Sequence, residues 1–243
     1  MPPPQHGLRA DPSGHPTPPA WLAPSGGLRY HLRALRYHRR HWRAFRATVA
    51  GWLAHWQPAT RNLVLVGPSA GHTLDAAFLR RFAHILALEP DPLARLWLRQ
   101  RFRHPGLEFA TLDILRQPAH RSALDALTLD AALLFCNVLG QVAPADGWDG
   151  LQHWLARRHW ASYHDTVSTS RPPDAQGEYA SEHPEKLEAL VGRFWHGGEI
   201  ALVDHGTLAL HARGLARYTL WPLTPRQHHL IGWVSHTPGE PAP

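Results

Sequence analysis

The sequence predicts an open α/β fold built on a mostly parallel sheet. Two apolar runs, Leu63-Val64-Leu65-Val66 and Ile85-Leu86-Ala87-Leu88, are bounded by glycine, proline or acidic residues. Such runs suit strands buried on both faces of a parallel sheet. A helical run from about His72 to Phe82 lies between them and has the length of a crossover, so the unit reads as βαβ. Three more apolar runs continue the alternation as far as His164-Asp165.

Taken in order, residues 1–27 are rich in proline and glycine, and disorder is expected there because the segment can neither propagate a helix nor donate ladder bonds. Residues 28–58 read as an N-terminal basic amphipathic helical segment. Leu28, Leu32, Leu35, Trp42, Phe45, Val49, Trp52 and Trp56 form an apolar stripe broken at Arg39, beside a stripe of Arg29, Arg33, Arg36, Arg40 and Arg43. The arginines either grip phosphates of a nucleic acid or form a solvated face, and the solvated face is the simpler reading. His38 and His41 sit one turn apart without a third ligand, so no metal site is expected.

Residues 59–238 hold the α/β domain. After the βαβ unit, Asp91 and Pro92 are placed to cap and open a helix that ends at His104-Pro105-Gly106. Leu107–Leu112 is the third strand and Leu129–Cys136 the fourth, followed by Asn137-Val138. A helix is expected within Gly147–Arg158, and Trp160–Tyr163 is a fifth strand ending at His164-Asp165. A polar insertion runs from Ser170 to about Ser181, with a helix over Pro184–Trp195. Ile200–Val203, Leu208–His211, Tyr218–Leu220 and Leu230–Val234 suit antiparallel strands, the first two being compatible with helix as well.

Composition narrows the classes. The 243 residues carry a formal charge of +6, with Lys186 the only lysine, and a basic balance permits acidic partners without requiring them. Cys136 is the sole cysteine, so no intrachain disulfide can form. The start Met1-Pro2-Pro3-Pro4 lacks the apolar stretch of a signal peptide, and no run is long enough to span a bilayer. A soluble, cytoplasmic protein without a membrane partner is expected.

In open α/β sheets the ligand crevice lies beyond the carboxyl ends of the strands. The turn Gly67-Pro68-Ser69-Ala70-Gly71 lets a ligand approach the backbone, and a helix N-terminus following it would add free N–H groups. Glu89 closes the next strand, where an acid can accept both ribose hydroxyls of a nucleoside. Asp113 ends the third strand, where it is either an acceptor for an exocyclic amine or a helix cap.

These residues resemble the class I S-adenosylmethionine-dependent methyltransferases over about Leu63 to Asp165. Gly67–Gly71 is similar to the family's strand-then-Gly-x-Gly-x-Gly motif, Glu89 to its ribose acid and Asp113 to its adenine acid. Asp130–Leu139 is similar to the run lining the methyl-donor site. The resemblance implies a Rossmann-like, seven-stranded sheet with its last strand antiparallel and helices on both faces, and S-adenosyl-L-methionine as cofactor. It implies donor contacts at Gly67, Pro68, Ser69, Gly71, Glu89, Pro90, Asp113, Ile114, Asn137 and Val138. Two positions depart: Leu65 stands where the family has an acid for the donor's amino group, and Ser69 replaces the middle glycine.

Methyl transfer is an in-line displacement, so the protein mainly positions donor and acceptor. A base is needed where the acceptor must lose a proton, and the candidates are His164 with Asp165, and His205 beside Asp204. Tyr163 and Trp148 are either acceptor-pocket walls or core. A small-molecule acceptor is favoured. The alternatives are a non-catalytic binding protein on the same scaffold, gripping nucleic acid through the arginine stripe, and a nicotinamide-dependent oxidoreductase. The oxidoreductase fingerprint needs glycine at three places, which are Gly67, Ser69 and His72 here, so two fail.

Overall fold

The computed structural model describes residues 27–128, 130–183, 185–211 and 215–238. The expected disorder of residues 1–26 and the side chains of Leu28 and Arg29 lie outside that description.

The expected N-terminal helix is two helices, α1 (Gly27–Tyr37) and α2 (Arg43–His55). The break falls at the Arg39 interruption, where a continuous helix would carry a charge onto the buried face. The turn instead seats the fully buried Trp42, whose indole N–H donates to Leu223 O at 3.1 Å. In α2 the stripe faces the core through Phe45, Val49 and Trp52, with Trp56 just beyond. In α1 it does not: Leu32 and Leu35 are each 56 % exposed, while His31 and Ala34 are buried.

Among the described residues nine strands form one sheet, where the resemblance implies seven. They are β1 (Asn62–Val66), β2 (His84–Leu88), β3 (Leu107–Ala110), β4 (Ala131–Cys136), β5 (Trp160–Thr169), β6 (Glu178–Ser181), β7 (Leu202–Asp204), β8 (Ala216–Thr224) and β9 (Gln227–His236). The order is β3-β2-β1-β4-β5-β9-β8-β6, with β7 beside the far end of β5. The pairs linking β3, β2, β1, β4 and β5 are parallel, and β9 enters antiparallel between β5 and β8. Of the nine, β6 ends the stretch expected to be a polar insertion, and β7 overlaps the expected Ile200–Val203.

The other helices are α3 (Ala76–Leu79), α4 (Pro92–Phe102), α5 (Ala119–Leu127), α6 (Gly147–Leu155) and α7 (Leu187–Phe194). The crossover helix α3 is thus one turn long, with Asp75 capping it at Phe78 N. The expected helix at the glycine turn starts late, and residues 72–75 are turn and loop. Leu208–His211 is part of a 3₁₀ helix, Thr207–His211, rather than a strand. Asp91 caps α4 through Leu93 N at 2.9 Å, as its place before Pro92 predicts.

Alternation places the core on both faces. Leu63 and Leu65 of β1 pack with Phe45 and Leu53 of α2, Phe78 of α3 and Leu98 of α4. Val64 and Val66 pack on the other face with Leu124 of α5 and Leu151 and Leu155 of α6. A third cluster joins Leu190, Val191 and Phe194 of α7 to Val167, Tyr218 and Leu230. No helix among the described residues is long and apolar enough to cross a membrane.

Candidate functional site

The chain rises through β1 and β2 on one side and returns through β4 on the other, which makes the gap between β1 and β4 the topological switch point of the sheet. A cavity of about 200 Å³ opens there. Its floor is the Gly67–Ser69 turn with Glu89 and Pro90 on one side and Cys136, Asn137 and Val138 on the other. Tyr30 of α1 and Trp221 of β8 complete it, with Thr73, Asp91 and Gln141.

Backbone geometry explains the turn. Gly67, Ser69 and Gly71 all have left-handed φ, at 64°, 51° and 65°. Ser69 therefore holds a conformation that suits glycine better, at a cost of about 1–2 kcal/mol. A Cβ on Gly67 would lie 3.0 Å from Val138 Cβ, and one on Gly71 would lie 2.5 Å from both Leu98 Cδ1 and Phe102 Cε2. Gly67 thus brings the β1 and β4 walls together, whereas Gly71 lets α4 pack.

Glu89 binds this turn directly. Its Oε2 accepts from Ser69 N at 2.8 Å and its Oε1 from Asp91 N at 3.0 Å. Burial raises its carboxyl, and these two N–H groups pull in the opposite direction. Each oxygen keeps a further lone pair for a ligand hydroxyl. On the other wall, Asn137 has φ 55°, donates through Nδ2 to Asp165 Oδ2 at 3.2 Å, and leaves Oδ1 buried without a partner. Burial pushes the Cys136 thiol up to about 12, so it stays protonated at neutral pH.

Not every expected donor contact reaches the cavity. Gly67, Pro68, Ser69, Glu89, Pro90, Asn137 and Val138 line it. Gly71 is buried under α4, Ile114 is 1 % exposed in the core, and Asp113 caps a turn by accepting from Leu115 N and Arg116 N. Leu65 is fully buried in the sheet and presents nothing to the cavity.

The expected base pairs are rearranged. β5 does not stop at Tyr163 but runs to Thr169, because β9 continues its ladder on one side and β7 joins on the other. His164 and Asp165 are therefore mid-strand neighbours and point to opposite faces. His164 is fully buried: its Nε2 meets His211 Nε2 at 2.7 Å, its Nδ1 meets Ser162 Oγ at 2.9 Å, and His211 Nδ1 meets Tyr218 OH at 2.8 Å. Burial drives His164 well below the usual imidazole range and His211 down to about 4.

Asp165 finds its histidine across the sheet. It pairs with Ile231, and His229 is the diagonal neighbour on the same face. His229 Nδ1 lies 2.7 Å from Asp165 Oδ1. Burial alone would raise the Asp165 carboxyl, but His229, His205 and the Asn137 amide hold it below its usual range. Asp204 does not pair with His205; it caps Gly206 N at 2.8 Å. His205 instead donates or accepts at Gly140 O and Ser168 Oγ, with its ring stacked 6.3 Å from that of His229. Since a carbonyl only accepts, His205 Nδ1 is the donor to Gly140 O.

Sequence reasoning gave no role to His229, Tyr30 or Trp221. No local signal reveals them, because each reaches the site from a remote element. Tyr163 is core, 1 % exposed and 2.7 Å from Thr73 Oγ1, and Trp148 packs against the α5–α6 side.

No family model matches the chain, and no curated protein does. Among solved structures the chain is similar to a SAM-dependent methyltransferase from Anabaena variabilis, at 12 % identity and a TM-score of 0.48, over 86 % of this chain and 92 % of that one. It is also similar to the N-methyltransferase NodS from Bradyrhizobium japonicum WM9 in complex with S-adenosyl-L-homocysteine, at 14 % identity and a TM-score of 0.45, over 85 % and 98 % of the two chains.

Proposed function

We propose that this protein is an S-adenosylmethionine-dependent methyltransferase acting on a small molecule. The observation that carries the reading is Glu89: a buried carboxylate at the end of β2, tied to the left-handed turn after β1, facing Asn137 and Val138 across the switch-point cavity. A carboxylate so placed suits the two hydroxyls of a ribose. The unpartnered Asn137 Oδ1 offers an acceptor on the opposite wall. When bound, the donor supplies an electrophilic methyl group on a sulfonium. The chain's own part is to hold the nucleoside between Gly67–Ser69, Glu89 and Val138, and to shield it with Tyr30 and Trp221. Neither expected base stands in the cavity: His164 is fully buried on the other face, and His205 is bonded at both nitrogens, to Gly140 O and Ser168 Oγ, so no base is assigned.

Calorimetric titration with S-adenosylmethionine, with its demethylated product and NADPH in parallel, tests the reading. Wild type binds the first two and not the third. Glu89→Ala weakens binding by about 1–3 kcal/mol, or roughly 5- to 150-fold. Wild type that binds neither donor nor product removes the proposal.

A second reading is a donor-binding protein without turnover. Leu65 favours it, since no carboxylate from β1 meets the donor's amino group. Tight donor binding with no methyl transfer across a broad acceptor panel would select it.

A further inference from the structure

We infer that Asp165, His205 and His229 form a binding site for a divalent first-row transition-metal ion of the zinc type. One donor atom from each residue lies within 4.8 Å of the others. Asp165 and His229 are buried and His205 is half-buried, so the group sits at the rim of the sheet rather than on an open surface.

The hydrogen bonds show which atom of each residue would coordinate. His229 Nδ1 lies 2.7 Å from Asp165 Oδ1, so an ion would replace the proton they share and take both atoms as ligands. His229 Nε2, buried on the far side of the ring, would keep the proton. His205 donates Nδ1–H to Gly140 O at 2.7 Å, which leaves its Nε2 lone pair shared only with the Ser168 hydroxyl at 3.1 Å. Fixing one ring nitrogen on a carbonyl so that the other faces the ion, as at His205, is a usual support of metal-binding histidine. Asp165 Oδ2 accepts from Asn137 Nδ2 at 3.2 Å, which orients the carboxylate and leaves Oδ1 to face the ion.

The donor set selects the ion. Two imidazoles and one carboxylate suit Zn²⁺, Co²⁺ or Fe²⁺, whereas Mg²⁺ and Ca²⁺ prefer oxygen ligands throughout. Bonds of about 2.0–2.1 Å to a central ion would draw the donors inward. His205 can supply that movement, standing between β7 and Gly206, whose φ is 68°.

The site is linked to the cavity through Asn137, which lines the cavity and holds Asp165, and through Trp221, whose ring is 6.0 Å from that of His229. An ion there would lie behind the cavity wall, since none of its three ligands lines the cavity, and metal binding does not depend on the methyltransferase reading.

The test uses the full chain after removal of metal by a chelator. Equilibrium dialysis with Zn²⁺ and visible absorption during Co²⁺ titration give stoichiometry and ligand field. The expected result is one ion per chain, with His205→Gln and His229→Gln each lowering Zn²⁺ affinity by about tenfold or more, and His183→Gln leaving it unchanged. Wild type that binds no stoichiometric ion, or variants that bind it as tightly as wild type, overturns the inference. If His229→Gln does not fold, the half-buried His205→Gln decides alone. Donor calorimetry on the metal-free protein reports separately on the methyl-donor site.

Discussion

Substituting Gly71 by alanine separates the two uses of the glycine turn. At φ 65° an alanine is strained by about 1–2 kcal/mol. Its Cβ would also lie 2.5 Å from both Leu98 Cδ1 and Phe102 Cε2, and overpacking of this kind costs about 1–3 kcal/mol. The reduced entropy of the unfolded chain returns about 0.4–1 kcal/mol. The net expectation is a loss of about 2–4 kcal/mol, read by urea denaturation as a midpoint shift of roughly 1 M at an m-value of about 3 kcal/mol per M. Because Gly71 does not line the cavity, the folded variant should bind donor as wild type does. Gly67→Ala is the contrast: its Cβ would meet Val138 Cβ at 3.0 Å on the cavity wall, so ligand affinity should fall along with stability. A Gly71→Ala protein of unchanged stability but weakened donor binding would refute this division of labour.

Three further outcomes follow from the same geometry. Ser69→Gly relieves the left-handed φ of 51° and should stabilise by about 0.5–1 kcal/mol after the entropic cost; a lower melting temperature would contradict it. Gly232→Ala places a Cβ 2.6 Å from His211 Cε1 and 3.0 Å from His164 Nε2, parting the buried pair, so a loss of about 2–4 kcal/mol is expected by denaturant titration. Asp146 accepts from the 5 % exposed Arg121 at 2.6 and 2.9 Å, and this hydrogen-bonded guanidinium holds its carboxyl below the usual range. Its contribution is present above the ordinary carboxylate pKa and is lost as pH falls through the lowered value. Asp146→Asn should therefore cost about 1–3 kcal/mol at neutral pH, discounted because Asp146 is 32 % exposed, and flatten the acid limb of the stability profile; an unchanged acid limb would contradict it.

The parallel half of the sheet was legible because strands buried on both faces write continuous apolar runs, and Leu63–Val66 and Ile85–Leu88 do so. Asp91 before Pro92 announced α4 by local chemistry alone. Periodicity misled in α1, where the leucines that complete the stripe face outward and His31 faces in, over Trp97 at 4.6 Å. It misled again at the end of β5. A strand's length depends on partners elsewhere in the chain, and without β7 and β9 nothing in Trp160–Thr169 says where the ladder ends. The same ignorance paired His164 with Asp165 and His205 with Asp204, neighbours in sequence that strand alternation and a turn cap keep apart. Asp165–His229 depends on sheet register, which a single sequence does not disclose.

The meeting of the first helices with the last strands has a kinetic consequence. Trp42 is hydrogen-bonded to a carbonyl 181 positions away, Phe45 stacks on Trp221 at 4.6 Å, and Tyr30 and Trp221 share the cavity. Contacts of such long loop closure form late and slowly compared with the local βαβ unit. During refolding, far-ultraviolet ellipticity should therefore recover first, while the cavity closed by Tyr30 and Trp221 is completed only in the slowest phase, when the two ends of the chain have met.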